Sequence, residues 1–263
     1  YNGCKIMDAK PEQQSITIKM SFQLLAVGCS AVRFAIKKVL EAEIIFMLLC
    51  MKVKRKEQRK MKGTIICYGD SNTYGYDPQS LTGGRYPENI RWTGILQEKS
   101  GWLIKNHGVN GRCIPHNSSQ IHFFCEQLRD WCKIKGPIRI WIMLGTNDFL
   151  TETGFTAEDA GNRMKKFLQI LVQQLEVNNR EMKVRLIAPP PVKRGAWVDE
   201  ERICREAEKL DKIYSKVAEE LNMDFTGTGD WEITVAYDGV HFSQEGHRKF
   251  ADRLLEILYN KPE

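Results

Sequence analysis

The chain has 263 residues, 42% hydrophobic and 27% charged, a composition ordinary for a globular protein and a length sufficient for one sizeable core plus an appendage. Its net charge of +6 is uneven, because residues 1–60 hold twelve Lys and Arg against five Asp and Glu, leaving twenty-seven against twenty-eight in the remainder. The basic surplus belongs to the N-terminal segment, and residues 61–263 carry no basic stripe interleaved with aromatics, so nucleic acid is not an expected partner.

Residues 1–14 are polar and aperiodic. From Val32 to Met51 apolar residues recur at helical spacing (Ile36, Val39, Leu40, Ile44, Met47, Leu48 and Met51), interrupted by Arg33, Lys37, Lys38, Glu41 and Glu43. The uncharged run from Ile44 to Met51 is far shorter than the ~20 residues of a membrane span. The apolar run before Cys29 is likewise too short for a lipoprotein signal. Lys52 to Lys62 reads as a solvated basic linker; such a run beside an amphipathic helix also suits an anionic surface, but no membrane partner is expected. Residues 1–60 are therefore read as an extension, or as codons upstream of a natural start at Met51 or Met61, and residues 61–263 as the main domain.

In that domain the apolar run Thr64 to Tyr68 predicts a buried strand ending in the turn that presents Ser71. A helix is expected over Arg91 to Ser100, then a strand over Trp102 to Asn106 and a glycine-bearing loop, His107 to Arg112. A helix over Ser119 to Cys132 leads to the strand Ile138 to Leu144 and the turn Gly145 to Asp148. Thr156 to Asp159 has the form of a capped helix start. A strand over Val184 to Ala188 is stopped by Pro189, Pro190 and Pro191. One helix is expected from Ile203 to Leu221, with Ala207, Leu210, Tyr214 and Val217 on its apolar face, then a short strand at Met223 to Phe225 and a final helix from Ser243. Five strands alternating with helices predict an α/β fold, a three-layer α/β/α flavodoxin-like sandwich with a five-stranded parallel sheet.

Ser71, Gly111, Asn147 and the pair Asp238 and His241 each follow a predicted strand, so a parallel sheet would gather them at its carboxyl edge. Acyl transfer needs a nucleophile, a base, a group that orients the base, and donors for the oxyanion. Ser71 suits the first role, His241 the second and Asp238 the third. The amides of Ser71 and Gly111 and the Asn147 carboxamide suit the oxyanion, Gly111 because no Cβ obstructs its N–H. Taken singly, Asp70 and Ser71 also suit a helix cap, Gly111 a turn, Asn147 and Asp148 a loop cap, and Asp238 to His241 a helix lead-in.

The four blocks Gly69-Asp70-Ser71, Asn110-Gly111, Gly145-Thr146-Asn147-Asp148 and Asp238-Gly239-Val240-His241 resemble those of the SGNH (GDSL-type) hydrolases, in the family's order and over nearly all of residues 61–263. The stretches Gly69 to Gly75, Arg91 to Gly94 and Leu144 to Asp148 resemble its arylesterase and acyltransferase branch. The resemblance implies the roles just given to Ser71, Gly111, Asn147, Asp238 and His241, with no metal and no cofactor, and association into homo-oligomers. The expected function is a serine esterase acting on short-chain, acetyl-type esters of alcohols, phenols or sugars, with a small-molecule ester as partner. The competing expectations are a flavodoxin-like phosphate- or nucleotide-binding module, with Ser71 to Gly75 as the cradle, and a catalytically silent carbohydrate-binding relative. Tyr74, Tyr76, Trp92 and Trp197 are candidate walls of the substrate pocket, or ordinary packing, and Pro189 to Asp199 is a lid or a connection. His107, His116, His122 and His247 receive no role: His116 and His122 lack metal-ligand spacing, and His247 is expected at the surface or satisfied. The eight cysteines, Cys4, Cys29, Cys50, Cys67, Cys113, Cys125, Cys132 and Cys204, include no C-x-x-C pair and read as reduced thiols, as in a cytoplasmic protein.

Overall fold

The computed structural model describes residues 37–45, 47 and 61–260. The chain divides into two units, Tyr1–Lys60 and Met61–Glu263. In the first, residues 37–45 and 47 are helical. The basic run at 52–60, Cys4, Cys29 and Cys50 lie outside the described residues. Among the described residues no helix is long and apolar enough to cross a membrane.

The second unit is built on one parallel sheet of β1 (Thr64–Gly69), β2 (Leu103–Gly108), β3 (Ile138–Met143), β4 (Lys183–Ile187) and β5 (Asp224–Thr226). Their order is β2-β1-β3-β4-β5, which is the flavodoxin-like arrangement expected. The chain direction across the sheet reverses beside β1, the switch point at which such sheets open a crevice beyond their carboxyl ends. Register brings Gly69 level with Gly108 on one side and Met143 on the other, so the loops after β1, β2 and β3 start together at that edge.

Helices α1 (Ser71–Tyr74), α2 (Trp92–Lys99), α3 (Ser118–Cys132), α4 (Thr146–Thr151), α5 (Ala157–Val177), α6 (Glu201–Glu208), α7 (Leu210–Glu220) and α8 (Gln244–Asn260) complete the unit. Alternate strand residues face opposite ways. Ile66, Tyr68, Ile140 and Ile142 pack with Phe124 and Leu128 of α3, Phe167 and Leu168 of α5 and Tyr214 of α7. Ile65, Cys67, Trp141 and Met143 pack with Trp92 and Leu96 of α2 and Phe250 and Leu254 of α8. Both faces are covered, which is why β1 reads as an unbroken apolar run and β3 as one interrupted only by Arg139. Burying each large side chain contributes about 1.5–3 kcal/mol. The start of α5 is the capping box its sequence announces: Asp159 N–H donates to Thr156 Oγ1 at 3.1 Å and Thr156 N–H to Asp159 Oδ2 at 3.0 Å.

Two elements differ from expectation by more than a residue at an end. β2 runs two residues further, through His107 and Gly108, because this edge strand is only half covered and lacks the apolar pattern that marks a buried strand's end. The single helix expected from Ile203 to Leu221 is two helices, divided at Lys209, whose N–H turns to Glu206 O at 3.1 Å. Asp211 at the start of α7 accepts the amides of Thr228 (3.0 Å) and Gly229 (2.8 Å), fastening that end to the loop after β5. Ile203, Ala207, Leu210, Tyr214 and Val217 nevertheless stay buried on one face, so side-chain periodicity survives a backbone break it cannot report.

Candidate active site

β1 ends where the chain tightens into α1, and Ser71 is the first residue of that helix. Asp70 caps it, its Oδ1 accepting the Asn72 N–H at 2.9 Å. Burial pushes the Asp70 carboxyl up to about 6, against the pull of the Asn72 hydrogen bond and the nearby His241 and Arg112 charges. Ser71 itself is only 5% exposed.

The loop between β5 and α8 delivers the partners. Ser71 Oγ lies 2.9 Å from His241 Nε2, and His241 Nδ1 lies 2.7 Å from Asp238 Oδ2. Asp238 Oδ1 accepts the amides of Val240 and His241, each at 2.9 Å. Burial works to raise the Asp238 carboxyl, but the imidazole and the two amides outweigh it and hold the group below its ordinary value. An ionised carboxylate only accepts, so Nδ1 carries the imidazole hydrogen and Nε2 presents its lone pair to the Ser71 hydroxyl. Gly239 makes this turn possible: its φ is +82°, and a Cβ there would meet Lys193 O at 2.1 Å.

The oxyanion candidates lie in the segments that follow β2 and β3. Gly111 follows β2 at φ +71°, with open space where a Cβ would be. Asn147, at the head of α4, donates from Nδ2 to Arg112 O at 3.1 Å, which orients the carboxamide and leaves its second hydrogen free of that bond. Three residues that sequence reasoning did not single out fasten these donors. Asp148 accepts the Ile114 N–H at 3.0 Å and a hydrogen from Arg163 Nη1 at 2.7 Å. The Arg112 guanidinium donates to Gly69 O at 2.9 Å and to His107 O, and lies over the Tyr68 ring. Tyr214 of α7 donates its hydroxyl to Leu144 O at 3.0 Å, three residues before Asn147. Asp148 and Arg112 adjoin the residues singled out; nothing local marks Tyr214.

Of the candidate pocket walls, Trp197 reaches the site, its ring edge-on to His241 with centroids 4.9 Å apart and 52% of the residue exposed. The Tyr76 ring lies 4.6 Å from the imidazole and 6.3 Å from the Trp197 ring, centroid to centroid. Trp92 does not line the site. It is 1% exposed within the core between α2 and α8, and its indole N–H donates to Asn72 O at 2.9 Å. Tyr74 is half-buried beneath the Arg85 guanidinium, 4.3 Å from its ring. The loop from Pro189 to Asp199 is bonded to the histidine turn, through Lys193 N–H to Gly239 O (2.9 Å), Ala196 N–H to Tyr237 O (3.1 Å) and Trp197 N–H to Asp238 O (3.0 Å).

His247, expected at the surface or satisfied, is wholly buried between the Tyr86 and Phe242 rings. Its Nδ1 faces Trp92 N–H at 3.5 Å, and Nε2 has no partner. His116 comes within 4.8 Å of Asp148 and Glu152, a proximity its sequence spacing does not announce. Arg163 already binds both carboxylates, at 2.7 Å to Asp148 and 2.5 Å to Glu152. Among the described residues Cys67, Cys113, Cys125, Cys132 and Cys204 are free thiols.

Known proteins align with this arrangement. A protein from Agrobacterium tumefaciens str. C58 described as an arylesterase superposes with a TM-score of 0.65 at 26% identity, covering 75% of this chain and 99% of its own. A carbohydrate acetylesterase from Sinorhizobium meliloti gives 0.63 at 24% identity over 76% and 99%. The aryl esterase of M. smegmatis gives 0.61 at 22% over 75% and 99%. Among curated proteins none matches the chain in sequence. The model of the GDSL-like lipase/acylhydrolase family matches residues 67–249, the span that holds every residue of the site, and the chain therefore belongs to that family, the SGNH hydrolases, and with it to the carboxylic ester hydrolases.

Proposed function

We propose that this protein is a serine esterase that removes short acyl groups, acetyl foremost, from alcohols, phenols or sugars through an acyl-enzyme. The observation that carries the proposal is the hydrogen-bonded series Ser71 Oγ, His241 Nε2 and Asp238, at 2.9 and 2.7 Å. Ser71 Oγ adds to the ester carbonyl as its proton passes to Nε2, and Asp238 stabilises the imidazolium. The oxyanion accepts hydrogen bonds from the amides of Ser71 and Gly111 and from the second Asn147 Nδ2 hydrogen; losing one such donor typically costs ~10²–10³ in turnover. Collapse of the adduct expels the alcohol, which leaves with the proton from Nε2. Water, or another alcohol, then gives its proton to His241 as it attacks the acyl carbon, and collapse of the second adduct returns that proton from Nε2 to Ser71 Oγ and releases the acid or the new ester.

The aromatic rings of Tyr76 and Trp197 beside His241 favour a small acyl group and a flat leaving group. The descriptions of the similar structures as arylesterase and carbohydrate acetylesterase support the same substrate range. A phosphate cradle at Ser71 to Gly75 has less support, since the serine hydroxyl faces His241 and α1 has only four residues.

The test is hydrolysis of p-nitrophenyl acetate and p-nitrophenyl butyrate by the full chain and by Ser71→Ala. The acetate is expected to be preferred, and the variant to lose at least ~10³-fold in kcat. Equal rates in the two proteins would sink the proposal.

A further inference from the structure

The residue after the nucleophile is buried, and its carboxamide spans to the other end of the site. Asn72 Oδ1 accepts the Phe242 N–H at 2.8 Å, and Asn72 Nδ2 donates to Val240 O at 3.1 Å. These two backbone groups lie on either side of His241. One planar amide thus grips the chain before and after the imidazole, while Asp238 grips the ring itself. Asn72 is held in turn by its own backbone: its N–H donates to Asp70 Oδ1 at 2.9 Å, and its carbonyl accepts the Trp92 indole N–H at 2.9 Å.

Ser71 and Asn72 are consecutive. The clip therefore ties the separation of Ser71 Oγ and His241 Nε2 to one rigid peptide unit, where otherwise it would depend on how a long loop settles on the sheet. A side chain can serve both contacts only with one donor and one acceptor at carboxamide spacing. Aspartate offers two acceptors and alanine neither, and each would leave a buried backbone group unpaired. On the reading of Ser71 and His241 given above, we infer that Asn72 is a positioning residue that holds His241 against Ser71, with the buried Trp92 indole as its backing.

Steady-state kinetics of the full chain, Ser71→Ala, Asn72→Ala and Asn72→Asp on p-nitrophenyl acetate test this. Displacing a reacting group by about 1 Å costs ~10²-fold, so Asn72→Ala is expected to lower kcat ~10- to 100-fold while KM stays within about twofold. Asn72→Asp is expected to be equally impaired near pH 8 and to recover, relative to wild type, as the pH falls toward about 5.5. A protonated acid has an O–H for Val240 O and a carbonyl for Phe242 N–H, which restores the clip; a residue that merely filled space would not respond to pH in this way.

A kcat for Asn72→Ala within about threefold of wild type, or an Asn72→Asp to wild-type ratio that is flat with pH, would overturn the inference. Should Asn72→Ala fail to fold, the ratio for the isosteric Asn72→Asp decides. Wild-type turnover in Ser71→Ala would instead remove the reading on which the inference rests, a result distinct from a silent Asn72.

Discussion

His241 is met by groups with several different tasks. Asp238 takes its Nδ1 hydrogen, Ser71 faces Nε2, Asn72 spans its backbone, and the rings of Tyr76 and Trp197 flank the imidazole. Trp197 is half exposed. Aromatic pairs are worth ~0.5–1.5 kcal/mol beyond their buried area, so Trp197→Ala is expected to raise KM for phenyl acetate ~2- to 12-fold, with kcat changed less. Steady-state kinetics on phenyl and ethyl acetate check this, and an equal loss on both esters would argue against contact with the aryl group. Ser71, Gly111, Asn147, Asp238 and His241 are the candidates the sequence offers because each follows a strand and is of a type that acyl transfer uses. Trp92 and Trp197 are not distinguishable there. Residue type reports that an aromatic is available, and only packing reports that one indole is sealed beneath α2 while the other stands in the open.

Among the elements, α7 acts on the site from a distance. Its Tyr214 hydroxyl holds Leu144 O, and Leu144 leads through Gly145 into the head of α4, where Asn147 sits. Tyr214→Phe would leave that buried carbonyl without its donor, a loss of about 1–3 kcal/mol. Urea unfolding is expected to show a lower midpoint at unchanged slope, together with reduced kcat if the Gly145 turn relaxes; unchanged stability would mean the carbonyl finds another donor. Element type and order were legible from apolar spacing in every strand and long helix of the second unit. The break at Lys209 was not, because Leu210 and Tyr214 keep the same buried face across it. Nor was the far end of β2, whose half-covered residues give no apolar signal.

For the whole molecule, two buried groups set opposing responses to acid. The Asp70 carboxyl, ordinarily near 3.8, is held at about 6, so the folded state binds its proton more tightly. Stability from this group is fully present below 3.8 and is lost as the pH rises through 6, by roughly 3 kcal/mol at most. Burial, with the Arg91 and His241 charges, lowers His247 from 6.5 to about 3. Its contribution is present above 6.5 and is lost as the pH falls toward 3, by roughly 4–5 kcal/mol at most. Between about pH 6 and pH 4 the two oppose each other. Asp70→Asn, which keeps the cap, is expected to steepen the loss of stability on acidification, and His247→Gln to reverse it over the same range. Urea midpoints measured at intervals across that range check both, and three parallel curves would refute the assignment.

The sequence by itself determined the class of fold, the order of its strands and helices, and the five residues whose chemistry suits ester cleavage. Those depend on local periodicity and on residue type, which a chain carries whether or not it is folded. Only the tertiary structure decided the separation of Ser71 from His241, the grip of Asn72 around that histidine and the burial of Trp92 and His247. Each of these is a relation between segments far apart in sequence. It exists only once both faces of the sheet are covered and the loops at its carboxyl edge are packed against one another.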